Sequence, residues 1–137
     1  MVEFVPIEIR AVGEFLECIF TGKIGASELL QGAKEIWEIE KREARTPSRF
    51  IDLSGVEAFD LSFASISDFA NVRRQSDFKN PIRSAIYASR GIAFGFARMY
   101  QSLNENPKLT IRVFREREAA LRWMRGEDSP ANPLAEH

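Results

Sequence analysis

The sequence of 137 residues holds one histidine and one cysteine. The histidine is His137, the last residue. A Ser-His-Asp triad needs a held imidazole to take the serine proton, and a terminal histidine does not supply one. A Cys-His dyad fails for the same reason. Zinc sites draw on several Cys and His side chains, so a zinc centre is not expected. Cys18 lies in the apolar run Phe15-Leu16-Glu17-Cys18-Ile19-Phe20 and reads as small core packing. One cysteine forms no internal disulfide, which fits a reducing compartment.

Excess charge is missing too. Nineteen Lys and Arg stand against twenty Asp and Glu, for a formal net charge of -1. That balance argues against a nucleic-acid binder, which shows a basic surplus. No stretch approaches the ~20 apolar residues of a membrane span. Met1 to Pro6 lacks the basic segment and long apolar run of a secretory signal, so cytoplasmic residence is the expectation. Neither a Walker-type loop nor GxGxxG occurs, and no cofactor is expected.

What is present suits one domain: 45% hydrophobic and 28% charged residues. Val2 to Arg10 and Glu14 to Lys23 read as two strands joined near Val12-Gly13. Pro6 puts the first at an edge. Ser27 is a candidate N-cap for a helix to about Ala44, with Leu29, Ala33, Ile36 and Trp37 on its apolar stripe. Arg49 to Leu53 is compatible with a buried parallel strand, ended by Ser54-Gly55. Asp60 or Ser62 caps the next helix, whose apolar positions include Phe63, Ile66 and Phe69. Ile82 to Ala88 is a strand. Ile92, Phe96, Met99, Tyr100 and Leu103 share a helical face. Leu109, Ile111 and Val113 alternate as the last strand. Ala120, Leu121 and Met124 mark the last helix, with Phe94 and Trp123 off the stripes of their helices and hence candidate interface aromatics. The expected fold is α/β in the order ββαβαβαβα, a mainly parallel sheet with an antiparallel edge. Residues 1–125 form the domain, and 126–137 read as a loose polar tail.

This order resembles a STAS domain, the fold of the bacterial anti-sigma factor antagonists. The segment from Phe50 to Ser62 is similar to the family's buried strand, turn and Asp-Ser-Ser-Gly helix start. The stretches from Pro81 to Tyr87, Phe94 to Met99 and Val113 to Met124 resemble the antagonist-like branch, which is also compared with CRAL-TRIO lipid-transfer domains. The likeness spans about residues 2 to 125. In phosphorylated antagonists the serine directly after the motif's Asp accepts phosphate. Here that position is Leu61, Ser62 holds the second serine position, and Phe63 replaces the usual Gly. The resemblance implies a non-enzymatic, partner-docking fold, without carrying the phosphoswitch over intact.

Ligands of open α/β sheets bind outside the carboxyl ends of the strands. The loops there supply the candidate rim Ser54, Asp60, Ser62, Ser89, Arg90 and Gly91. It has two readings: a contact surface for a protein partner or an anion, or simple helix capping and turn formation. Asp52, in an otherwise apolar strand, is expected to satisfy nearby loop amides. The aromatic richness also has two readings, plain core or a pocket for a small apolar ligand lined by Phe63, Phe96 and Tyr100. Small domains often form symmetric pairs, so a homodimer is a candidate assembly, with no face singled out.

Overall fold

The computed structural model describes residues 7–74, 78–89 and 91–127. Its elements are β1 (Ile7–Val12), β2 (Phe15–Gly25), α1 (Ala26–Arg42), β3 (Ser48–Asp60), α2 (Phe63–Arg74), β4 (Ile82–Tyr87), α3 (Gly91–Leu103), β5 (Leu109–Phe114) and α4 (Arg117–Met124). This is the expected α/β order. The five strands form one sheet in the order β1-β2-β3-β4-β5. β1 is antiparallel to β2, and the other neighbours are parallel.

Each parallel strand is added on the same side of the one before. Right-handed crossovers therefore place α1, α2 and α3 on one face of the sheet. The side chains follow the pleat. Cys18, Leu53, Ile86 and Val113 belong to the core beneath those three helices, with Leu29, Ile36 and Ala97. Phe50, Ala85 and Phe114 point the other way and are covered by Ala119, Ala120 and Trp123 of α4. The eight residues of α4 cover the β3–β5 half of that face and leave the β1–β2 half largely open.

Several local expectations are corrected. The cap of α1 is Gly25, not Ser27; the Glu28 carboxylate accepts its N–H at 2.7 Å. Trp37 lies outside the inner stripe of α1, 49% exposed, with Lys41 Nζ 4.3 Å from its ring centroid. Gly32 instead takes an inner position: a Cβ there would meet Ile7 Cδ1 at 2.9 Å, so its smallness seats α1 close to β1.

β3 does not end at Ser54-Gly55. It runs on to Asp60, pairing with β2 as far as Gly25 and Asp60, while β4 accompanies it only to the pair Asp52 and Tyr87. Gly55 serves proximity rather than termination. A Cβ at that position would lie 2.9 Å from Thr21 Cγ2 and 3.3 Å from the Phe20 carbonyl oxygen.

In α3 the small residues take the innermost places. Ala93 and Ala97 face the sheet, and Phe96 and Tyr100 flank them half-buried. Ile92 and Met99, expected on the inner face, are exposed. Trp123, expected as an exposed aromatic, is buried against Phe114 with ring centroids 5.7 Å apart. The guanidiniums of Arg83 and Arg112 lie 5.1 and 5.3 Å from its ring centroid. Phe94 is half-buried, with Arg115 4.0 Å from its ring centroid.

Candidate functional site

The carboxyl end of the sheet carries the starts of α2 and α3. Ser62 caps α2: its Oγ accepts the Ser65 backbone N–H at 3.1 Å and lies 3.1 Å from Ser65 Oγ. Phe63, the next residue, is exposed. Asp60 is exposed at the end of β3, opposite Gly25. Ser89 is exposed just beyond β4, and Gly91 opens α3. Arg90 lies outside the described residues.

A groove of about 320 Å³ runs between the last stretch of β3 and the start of α3. Val56, Glu57, Ala58 and Phe59 form one wall, and Gly91, Ile92 and Ala93 the other. Phe59 stacks on Phe96 with ring centroids 4.5 Å apart and planes inclined by 14°, tying the two walls together. The structure thus joins Gly91 to the end of the strand that leads to Asp60 and Ser62.

Ser54 does not belong to this rim, because β3 passes straight through it. Its N–H and its hydroxyl donate to Asp52 Oδ1 at 2.9 and 2.6 Å. Asp52 Oδ2 accepts from Arg117 Nη1 at 3.2 Å. Asp52 therefore satisfies a local amide as the sequence suggested, but inside a strand. The larger arrangement around it was not legible. Glu17, buried, accepts Arg10 Nε at 2.9 Å and Arg117 Nη2 at 2.9 Å. Burial alone would raise the Glu17 carboxyl, but hydrogen bonds and charge from Arg117 and Arg10 outweigh it and hold the group below its ordinary value. The Glu17 hydrogen bond correspondingly raises Arg117. Arg117 also lies 5.0 Å from the Phe50 ring centroid. This chain of mutual neutralisation pins the first turn of α4 to β2 and β3. The one signal in the sequence was a lone Glu inside an apolar run.

Between the sheet and the helix layer is a cavity of about 50 Å³. Phe96 and Tyr100 line it, as the pocket reading expects. Phe63 does not: it is 62% exposed, because its position at the very start of α2 turns it outward. The wall is mostly apolar, with Tyr100 and the buried Arg49 and Ser84 as its polar members. Arg49 donates to the buried Glu40 carboxylate from α1, and its guanidinium lies 5.6 Å from the Phe78 ring centroid. Among the described residues, no three or more His, Cys, Asp or Glu gather to hold a metal ion, and no helix is long and apolar enough to cross a membrane.

No protein-family model matches the chain, and no curated protein matches it either. Among solved structures it is similar to an uncharacterised DUF3478-family protein with a SpoIIAA-like fold from Shewanella loihica. The TM-score is 0.56 at 17% identity, over 86% of this chain and 91% of the other. The chain has the SpoIIAA-like fold, which is the fold of STAS domains and anti-sigma factor antagonists.

Proposed function

We propose that this protein is a non-enzymatic, STAS-like regulatory module that docks a protein partner at the carboxyl rim of its sheet. The observation that carries this reading is the placement of Phe63 and Ile92. At 62% and 70% exposure they are the most exposed large hydrophobics among the described residues. Each stands in the first turn of a helix that starts at the same end of the sheet. Between the strand leading to one and the helix carrying the other lies the groove of Val56–Phe59 and Gly91–Ala93. Exposed apolar side chains around a groove with a polar rim fit protein recognition.

Asp60, Ser62, Ser89 and Gly91 supply that rim, with Arg90 adjacent in sequence. A phosphate on Ser62 would place negative charge at the start of α2, where it favours the helix and changes the surface a partner meets. Cytoplasmic residence belongs to this reading and is supported by a lone, buried cysteine. The fold likeness supports a regulatory role as analogy.

The test is affinity capture from the native host with the wild type and with Phe63→Glu, Ile92→Glu and Trp37→Glu. The reading expects a co-purifying protein that the two rim variants lose and the α1 variant keeps. Equal capture by all four proteins contradicts it.

A further inference from the structure

We infer that the free edge of β1 is a self-association site, where β1 of a second copy of this chain adds antiparallel about a two-fold axis at Ile9. This stands independently of the rim and gives the homodimer a face.

The two edges of the sheet differ. At β5, the Lys108 carbonyl accepts from the Ile82 N–H and the Phe114 carbonyl from the Ala88 N–H, so the even-numbered carbonyls point inward. The outward carbonyls of Leu109 and Ile111 are taken by side chains. Asn104 Nδ2 and Gln101 Nε2 donate to them, each at 2.8 Å. Such cover closes an edge to a further strand. β1 has none: among the described residues, no side chain bonds to its backbone.

The hairpin decides which groups of β1 face outward. Gly13 and Glu14 form a two-residue loop between the paired Val12 and Phe15. Gly13, at φ 61°, supplies the positive φ that the first position of such a turn requires. The pair flanking a turn of this kind is hydrogen-bonded, and bonded pairs alternate with non-bonded ones. Val12, Arg10 and Glu8 therefore spend their backbone groups on β2. Ile7, Ile9 and Ala11 point theirs to the free edge.

A second β1 can meet those groups in neighbouring registers, and charge selects among them. In one register Glu8 stands opposite Glu8 of the second copy, and in another Arg10 stands opposite Arg10. Both bring like charges together, which is unfavourable. Centred on Ile9, Glu8 of each copy stands opposite Arg10 of the other. Ile7 then pairs with Ala11 and Ile9 with Ile9, so every outward group of these residues finds a partner. The Glu8 and Arg10 positions form non-bonded pairs, with Cα atoms about 4.5 Å apart and side chains at their closest.

Glu8 is exposed and makes no ion pair among the described residues. Arg10 is more than half exposed and gives its Nε to Glu17. A guanidinium has donors for a second carboxylate, as Arg117 demonstrates with Glu17 and Asp52. The strand is thus complementary to itself, as a two-fold contact requires. Main-chain hydrogen bonds supply the affinity and the charge pairs the register. The parallel strands of the two copies run in opposite directions, so the two carboxyl rims lie at opposite ends of the joined sheet.

Sedimentation equilibrium of the full chain is the test. The expected result is a reversible dimer at high micromolar concentration. Glu8→Arg and Arg10→Glu should each weaken it about tenfold, because two opposite-charge pairs become like-charge pairs. Mixing the two variants should restore association to near the wild-type level, since the mixed dimer has opposite charges at both crossings. Ala11→Pro removes an outward N–H and none that β2 uses, so it should stay folded and become monomeric. Hydrogen exchange at the Ile9 and Ala11 amides should slow as protein concentration rises. A wild type that stays monomeric overturns the inference. So does a dimer indifferent to Glu8→Arg or to a folded Ala11→Pro, or a mixture no tighter than either variant alone. A monomer whose Ile9 and Ala11 amides are already protected assigns the edge to another segment of the same chain, and overturns it as well.

Discussion

Arg117 Nη2 stands 2.9 Å from Glu17 Oε2, joining the first turn of α4 to a strand one hundred positions earlier in the chain. Glu17 is buried while Arg117 is half exposed, so the pair straddles the boundary of the open sheet face. Arg117→Ala is expected to lower unfolding stability by about 1–2 kcal/mol, a charge-assisted hydrogen bond discounted for solvent screening. Urea unfolding of Arg117→Ala, Glu17→Gln and the double variant measures the coupling. Additive losses would show that the two groups do not act together.

The same pair predicts a response to acid. The Glu17 carboxyl is held below its ordinary value in the folded protein, so the unfolded chain takes up its proton first as pH falls. Its contribution is fully present above the ordinary glutamate value of 4.5 and is lost as pH drops through the lower, folded value. Glu17→Gln should therefore flatten the stability profile below pH 4.5 and leave its shape near neutrality unchanged. Chemical denaturation across that range checks the sign.

The Glu40–Arg49 pair differs because both side chains are buried. Arg49→Met removes a buried partner of the Glu40 carboxylate and is expected to cost about 3–5 kcal/mol. Replacing both with Met should recover most of that loss, since the desolvation of two charges disappears with them. Thermal unfolding of the single and double variants distinguishes the outcomes. A double variant no better than the single one would contradict this account of the pair.

Two tryptophans report the two sides of the molecule. Trp37 is exposed on α1 and Trp123 is buried under α4. Trp37→Phe should leave blue-shifted emission that acrylamide quenches poorly, with stability within about 0.5 kcal/mol of wild type. Trp123→Ala should cost about 3–5 kcal/mol, because it empties the centre of the α4 contact. Red-shifted, readily quenched emission from Trp37→Phe would place Trp123 outside the core.

The contrast between the two tryptophans also marks how far the sequence could be read. Element order and sheet polarity were legible because alternation and helical spacing recur across every segment from β1 to α4. The facing of α3 and α4 was not. Counting apolar residues favours the large side chains of Ile92 and Met99 in α3, whereas close packing on the sheet selects Ala93 and Ala97; in α4 it finds Ala120 but passes over Trp123, which is buried beside it. Gly55 misled in the same way: a glycine that reads as a strand end is a point of close backbone approach. Ser62 caps α2 and Gly91 opens α3, positions that the rules of helix starts make legible. Ser54 was misplaced with the strand end. The tie from Glu17 to Arg117 depends on a contact between distant segments, and no local pattern announces it.

Ser62 has a structural role that separates from any docking role. Loss of its cap in Ser62→Ala should cost about 1 kcal/mol, and Ser62→Asp should restore most of it by accepting the same Ser65 N–H. Thermal unfolding reads this directly. Equal stability of all three proteins would contradict the capping geometry.

The account rests most heavily on the rim as the docking surface. Photo-crosslinking in the native host tests it directly, with a benzophenone side chain placed in turn at Phe63, Ile92, Leu30 and Trp37. The predicted result is an adduct to one and the same protein from positions 63 and 92, and none to that protein from the α1 positions 30 and 37. Adducts to it from α1 alone, or none from the rim, would contradict the assignment.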